Sequence, residues 1–130
     1  MGFINSKDFS HAKADKIGVL LTNLGTPDEA NPKALKRYLK QFLSDPRVVE
    51  VPRLLWWFIL NGVILNIRPR RSAKAYQTVF TDQGSPLLFH TVSQTKAVAA
   101  ELATRGYPDL VVDFAMRYGN PSFQSVLERM

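Results

Sequence analysis

A chain of 130 residues is long enough to bury one hydrophobic core, and 45% apolar with 22% charged residues is the balance of an ordinary globular protein, which excludes disordered, collagen-like and disulfide-stapled classes. Cysteine is absent, so disulfides, thiolate metal sites and cysteine nucleophiles are excluded as well. The net charge of +6 favours an anionic partner: nucleic acid, an acidic membrane surface, or a small molecule bearing carboxylates or phosphates.

Residues 1–15 read as a polar N-terminal tail. They carry Lys7, Asp8, His11, Lys13 and Asp15 without an apolar h-region or a small-residue cleavage site, so no secretory signal is expected and the chain is read as cytoplasmic. Lys16 to Asn23 is a short, nearly continuous apolar run, which predicts a parallel strand buried on both faces. It should stop at Leu24-Gly25-Thr26-Pro27, where glycine turns the chain and proline ends the hydrogen-bond ladder.

Asn31 suits a helix N-cap and Pro32 the first helical position, while Leu35, Leu39, Phe42 and Leu43 form one apolar face. Lys33, Lys36, Arg37 and Lys40 on the other side read as a solvated surface. Ser44-Asp45-Pro46 ends this helix, because proline disfavours helical geometry in the residue before it. Leu54 to Ile67 is the most hydrophobic stretch, interrupted only by Asn61, Gly62 and Asn66. It is too short to cross a bilayer, which takes about 20 apolar residues. Periodicity favours a buried helix there; paired tryptophans flanked by Arg53 and Arg68 also fit an exposed lip at a membrane interface.

Arg68-Pro69-Arg70-Arg71 then opens a helix running to about Phe80. Basic residues at a helix N-terminus oppose its dipole unless an anion compensates, so this start is either a solvated turn or an anion site. Ser85 as N-cap and Pro86 at the first position open a further helix with Leu88, Val92, Thr95, Ala99 and Leu102 along its buried stripe, closed by Gly106 and Pro108. Leu110 to Met116 is a second strand, parallel to the first because the crossover is long, and it ends in Arg117-Tyr118-Gly119. Pro121 starts a last helix containing Phe123, Val126 and Leu127, without a capping signal before Met130. Two parallel strands leave both edges unpaired, so further strands are expected in an intact protein.

In open parallel sheets ligands bind beyond the carboxyl ends of the strands, which here are the loops after Asn23 and Met116. One glycine in the first turn, with no Walker-type Gly-Lys-Ser/Thr, disfavours a nucleotide. His11 and His90 lack a partner at metal-binding spacing. Ser85 is explained by capping, since no Gly-x-Ser-x-Gly elbow surrounds it. Asp28, Glu29, Asp45, Glu50 and Asp82 are scattered through loops and show no acid/base pairing. The basic residues are divided among separate elements, so nucleic acid is not an expected partner.

Several motifs then occur in order. Leu24-Gly25-Thr26-Pro27 follows an apolar strand; Phe42-Leu43-Ser44-Asp45-Pro46-Arg47-Val48-Val49 precedes Pro52; Tyr76, Gly84-Ser85-Pro86-Leu87, Thr91 and Gln94 come next; Met116-Arg117-Tyr118-Gly119 with Pro121-Ser122 closes the set. In order and approximate spacing these motifs resemble ferrochelatase over Lys16 to Met130.

The resemblance implies an α/β fold in three layers, a parallel sheet flanked by helices, of which residues 16–130 would be the N-terminal part of an incomplete, chelatase-like half-domain. It implies a protein that inserts ferrous iron, as a substrate, into protoporphyrin IX to make protoheme, with two protons released. The family's metal-facing histidine and partner glutamate match no position here, so no catalytic or metal residue and no cofactor is expected in this chain, which alone should be inactive. Porphyrin contacts are implied at Leu24, facing one side of the macrocycle; at Tyr76, Ser85 and Arg68, with Arg71 the alternative arginine, near the propionates; and at Arg117 and Tyr118, beside the metal site. An anion then exists for the basic helix start, and Leu54 to Ile67 fits the family's hydrophobic lip, a peripheral contact with the inner membrane surface. The rival expectation is a non-catalytic module that binds a tetrapyrrole or an anionic lipid.

Overall fold

The computed structural model describes residues 16–130, so the tail over 1–15, with His11, lies outside the described residues. Strand β1 (Gly18–Thr26) leads to helices α1 (Pro32–Ser44) and α2 (Arg53–Ile59); a π-helical turn, Leu60–Ile64, joins α2 to α3 (Leu65–Val79); α4 (Pro86–Thr104), β2 (Val111–Gly119) and α5 (Phe123–Leu127) complete the order. The α/β class is as expected. β1 and β2 pair in parallel, with Gly18 opposite Val111 and Thr26 opposite Gly119, and α4 packs along both strands while α1 and α5 pack on β2.

Both strands run further than the sequence predicts. Leu24, Gly25 and Thr26 belong to β1, and Arg117, Tyr118 and Gly119 to β2. Gly25 permits this through close approach, not through a turn. Its φ is +111°, and a Cβ there would lie 1.8 Å from the Tyr118 carbonyl oxygen. Gly119, with φ +84°, returns the arrangement, since its Cβ would lie 2.6 Å from the Thr26 carbonyl oxygen. Only glycine occupies both conformations without strain. Burial on both faces is not found in β1: from Gly18 to Leu24 every residue is half-buried or exposed. Two strands and the helices on them supply too little cover for a fully buried ribbon.

Helix α1 follows its predicted chemistry. The Asn31 side chain accepts the Ala34 N–H at 2.8 Å, and Pro32 occupies the first turn. Leu39 and Leu43 pack with Leu60 and Leu65 into a core that Phe42, Val49, Trp56 and Ile64 flank. Each such leucine, when fully buried, contributes about 1.5–3 kcal/mol. The Trp56 indole N–H donates to the Leu43 carbonyl at 2.7 Å, fastening α2 to the end of α1.

The apolar stretch after Arg53 is not a buried helix. Leu60 and Leu65 are buried, but Leu54 is 74%, Trp57 58% and Phe58 59% exposed. Asn61, Gly62 and Asn66 are accounted for by the π-helical turn. The Leu65 N–H reaches the Leu60 carbonyl five residues back, and the Asn66 side-chain amide donates to the Asn61 and Gly62 carbonyls at 3.1 and 2.9 Å, serving acceptors that the wide turn leaves open. Arg68 to Arg71 consequently lie inside α3, whose backbone continues from the turn, so the expected basic helix start with unpaired N–H groups does not exist. Pro69 falls within the helix.

Two further starts differ. Ser85 occupies the N-cap position of α4, yet its side chain makes no capping bond and is only 6% exposed. α5 begins after Ser122, not at Pro121, because the Ser122 hydroxyl accepts the Ser125 N–H at 3.2 Å. Val126 of α5 is fully buried, and the Met116 N–H donates to the Pro121 carbonyl at 2.7 Å, tying this segment to β2.

Candidate functional site

The carboxyl end of β2 carries Arg117 and Tyr118, and α1 supplies their partners. Tyr118 is buried, with its ring edge-on to Phe42 at 5.0 Å. Its hydroxyl donates to Asp45 Oδ2 at 2.8 Å, and Arg117 Nη2 donates to the same oxygen at 2.9 Å. Arg117 Nε donates to the Tyr118 hydroxyl oxygen at 3.2 Å, and the guanidinium carbon lies 5.5 Å from that ring's centroid, within cation–π range. Asp45 Oδ1 accepts the Arg47 N–H at 2.8 Å. This backbone bond, the Tyr118 hydroxyl and the Arg117 guanidinium outweigh burial and hold the Asp45 carboxyl at about 2.

Beside this triad opens a cavity of about 650 Å³ lined by Gln41, Ser44, Asp45, Arg47, Arg117 and Tyr118. Gln41 Oε1 accepts the Gly119 N–H at 2.9 Å, and the Tyr38 hydroxyl donates to the Gly25 carbonyl at 3.1 Å, so α1 holds both strand ends. Burial, then the neighbouring Tyr76 and Tyr118, push the Tyr38 phenol up to about 12, which keeps it a donor.

At the end of β1, Asn23 uses both ends of its amide. Its Oδ1 accepts the Leu24 N–H at 2.8 Å, and its Nδ2 donates to Thr91 Oγ1 at 3.0 Å. The Thr91 hydroxyl in turn donates to the Leu87 carbonyl at 2.8 Å, linking β1 to the first turn of α4, which Ser85 opens. Leu24 itself is 52% exposed.

A second cavity, of about 500 Å³, lies along the π-turn and α3, where Val63, Ile64 and Ile67 meet Arg68, Arg71 and Ser72. Tyr76 follows further along α3, its ring edge-on to Phe80 at 6.1 Å. The residues singled out from the sequence therefore fall into groups. Arg117 and Tyr118 share one cavity and Arg68 and Arg71 the other, while Leu24, Tyr76 and Ser85 line neither. Sequence reasoning missed Asp45, Asn23, Tyr38 and Gln41. Asp45 had been accounted for as part of a helix stop, and nothing in its spacing announces partners 72 and 73 residues away. Among the described residues no group of three or more His, Asp or Glu side chains could hold a metal ion.

Comparison with known proteins agrees with this arrangement of motifs. The Ferrochelatase family pattern matches residues 16–130. Over all 130 residues the chain is 65% identical to a ferrochelatase of Idiomarina loihiensis and 61% identical to one of Pseudoalteromonas atlantica, covering 36% of each. Against a ferrochelatase of Chromobacterium violaceum it is 57% identical over 128 residues, 98% of this chain and 35% of that protein. The chain thus spans about a third of the length of the curated relatives it matches.

Proposed function

Because the chain belongs to the ferrochelatase family, we propose that it forms one porphyrin-binding wall of a protein that inserts ferrous iron into protoporphyrin IX to give protoheme. The observation that carries this reading is the second cavity, where the apolar Val63, Ile64 and Ile67 adjoin the cations Arg68 and Arg71. Protoporphyrin IX has the same division, a flat apolar ring with two propionates at one edge. Guanidinium groups recognise carboxylates by paired N–H donors, which an ammonium cannot reproduce.

Insertion exchanges one Fe²⁺ for two pyrrole N–H protons. It requires a pocket that bends the macrocycle, so that nitrogen lone pairs become accessible, and a base that takes the protons. In this reading the chain supplies shape and anchoring. Leu24 meets one face of the ring, Arg68 or Arg71 pairs with a propionate, Tyr76 and Ser85 add polar contacts, and Arg117 with Tyr118 stands near the metal path. Proton acceptance falls to residues outside this chain, which by itself is not expected to metallate porphyrin. The working site is cytoplasmic, against a membrane surface onto which the exposed face around Trp57 and Phe58 would settle; no described helix is long and apolar enough to cross a membrane.

The test is to titrate protoporphyrin IX into the chain by fluorescence, with Arg68→Ala and Arg71→Ala made singly. One of the two should bind about tenfold more weakly, the scale of one lost charge-assisted contact. Unchanged affinity in both variants would remove the arginines from the site.

A further inference from the structure

We propose that Asp45 is a positioning residue of the porphyrin site, holding Arg117 and Tyr118 in a single arrangement beside the cavity they line. The proposal rests on the porphyrin reading above and adds a residue to it.

The two carboxylate oxygens of Asp45 have separate work. Oδ1 takes the Arg47 N–H of its own loop, which fixes the side chain, and Oδ2 is left to receive both Tyr118 and Arg117 from β2. The Tyr118 hydroxyl then has its one proton committed to Asp45 and a lone pair engaged by Arg117 Nε. Each of the three groups fixes the other two, so neither the phenol nor the guanidinium is free to rotate independently. Charge-assisted bonds of this kind are about twice as strong as neutral ones.

Exposure shows which way the cluster is built. The Asp45 side chain is 16% exposed and that of Arg117 43%, so the carboxylate lies behind and the guanidinium in front. A guanidinium has five N–H donors. Asp45 and Tyr118 use two of those on Arg117, through Nη2 and Nε, and the rest remain for a ligand in the cavity. The pairing also cancels the Arg117 charge where a free guanidinium would repel an approaching divalent cation. Without Asp45, the buried Tyr118 hydroxyl loses its acceptor and Arg117 loses the contact that aims it.

The proposal is tested on the whole chain in two measurements. The first follows the Arg117 Nε–H resonance by ¹⁵N NMR, identified by its disappearance in Arg117→Lys. It should be resolved and slow to exchange in the unmodified chain, and merge with the exposed arginines in Asp45→Asn. A resonance unchanged by Asp45→Asn overturns the proposal. The second is protoporphyrin IX titration, in which Asp45→Asn should bind about five- to tenfold more weakly, as for one lost charge-assisted bond. In an Arg117→Met/Tyr118→Phe background the same substitution should cost no further affinity. A further loss there would assign Asp45 to the end of α1 alone, which also overturns the proposal. If the unmodified chain shows no quenching at all, the porphyrin reading falls and takes the substrate half of this proposal with it. The Arg117 resonance decides the positioning half independently.

Discussion

Gly25 is the residue at which the fold has least freedom. A methyl group there would meet the Tyr118 carbonyl oxygen at 1.8 Å in a backbone conformation that disfavours side chains. Gly25→Ala should therefore lower stability by about 3 kcal/mol or more, combining overpacking with backbone strain. Urea unfolding reads this directly, and a midpoint equal to that of the unmodified chain would count against the close approach. Asp45 carries a different signature. Its carboxyl falls from the ordinary 3.8 to about 2 through the Arg47 N–H, Tyr118 and Arg117. Across that interval the unfolded chain binds more protons than the folded one, so stability rises with pH. The contribution is complete above the unfolded value and is lost as pH falls through about 2. Asp45→Asn should flatten that acid limb of a stability-against-pH curve; a limb of unchanged steepness would show that other carboxylates create it. In the sequence, Asp45 was legible as the end of a helix and nothing more. A hydrogen bond spanning 73 residues leaves no periodic trace.

Among the elements, α1 was readable down to its cap, because Asn31, Pro32 and the leucine spacing all act within one helix. The strands were readable in kind and pairing but not in extent, since their last residues depend on glycines facing each other across the pair. Ser85 holds the N-cap position that its sequence context predicts, but the buried side chain makes no capping bond, which context alone does not reveal. The face formed by α2 was ambiguous, because apolar content does not say whether a partner covers it. Leu54, Trp57 and Phe58 are exposed, with Arg53 at the helix start. Such a face suits the interface of an anionic bilayer, where aromatic rings insert and arginines meet headgroups. Replacing Trp57 and Phe58 together by serine should weaken sedimentation with vesicles containing phosphatidylglycerol by about tenfold or more. Equal binding of both proteins, or equal binding to neutral vesicles, would argue against this surface.

For the whole molecule, the order of elements and the parallel crossover followed from hydrophobic runs and connection length, and the ordered motifs identified the family. What could not be read was how the contact residues divide. Two cavities, one at the strand ends and one along α3, share none of the residues that line them, and the residues implied by resemblance are spread over both and beyond. A linear sequence records the motifs but not the angles between the elements that carry them.

The π-helical turn at Leu60–Ile64 sets one of those angles. In an α-helix each residue advances the side chains by about 100° around the axis, so a turn that accommodates one extra residue shifts everything after it by about that amount. Arg68 and Arg71 lie after the turn; Trp57 and Phe58 lie before it. The azimuth between the charged groove and the greasy face is thus written into a single wide turn. Losing one residue between Asn61 and Val63 would preserve Trp57, Phe58, Arg68 and Arg71 and still rotate one pair away from the other.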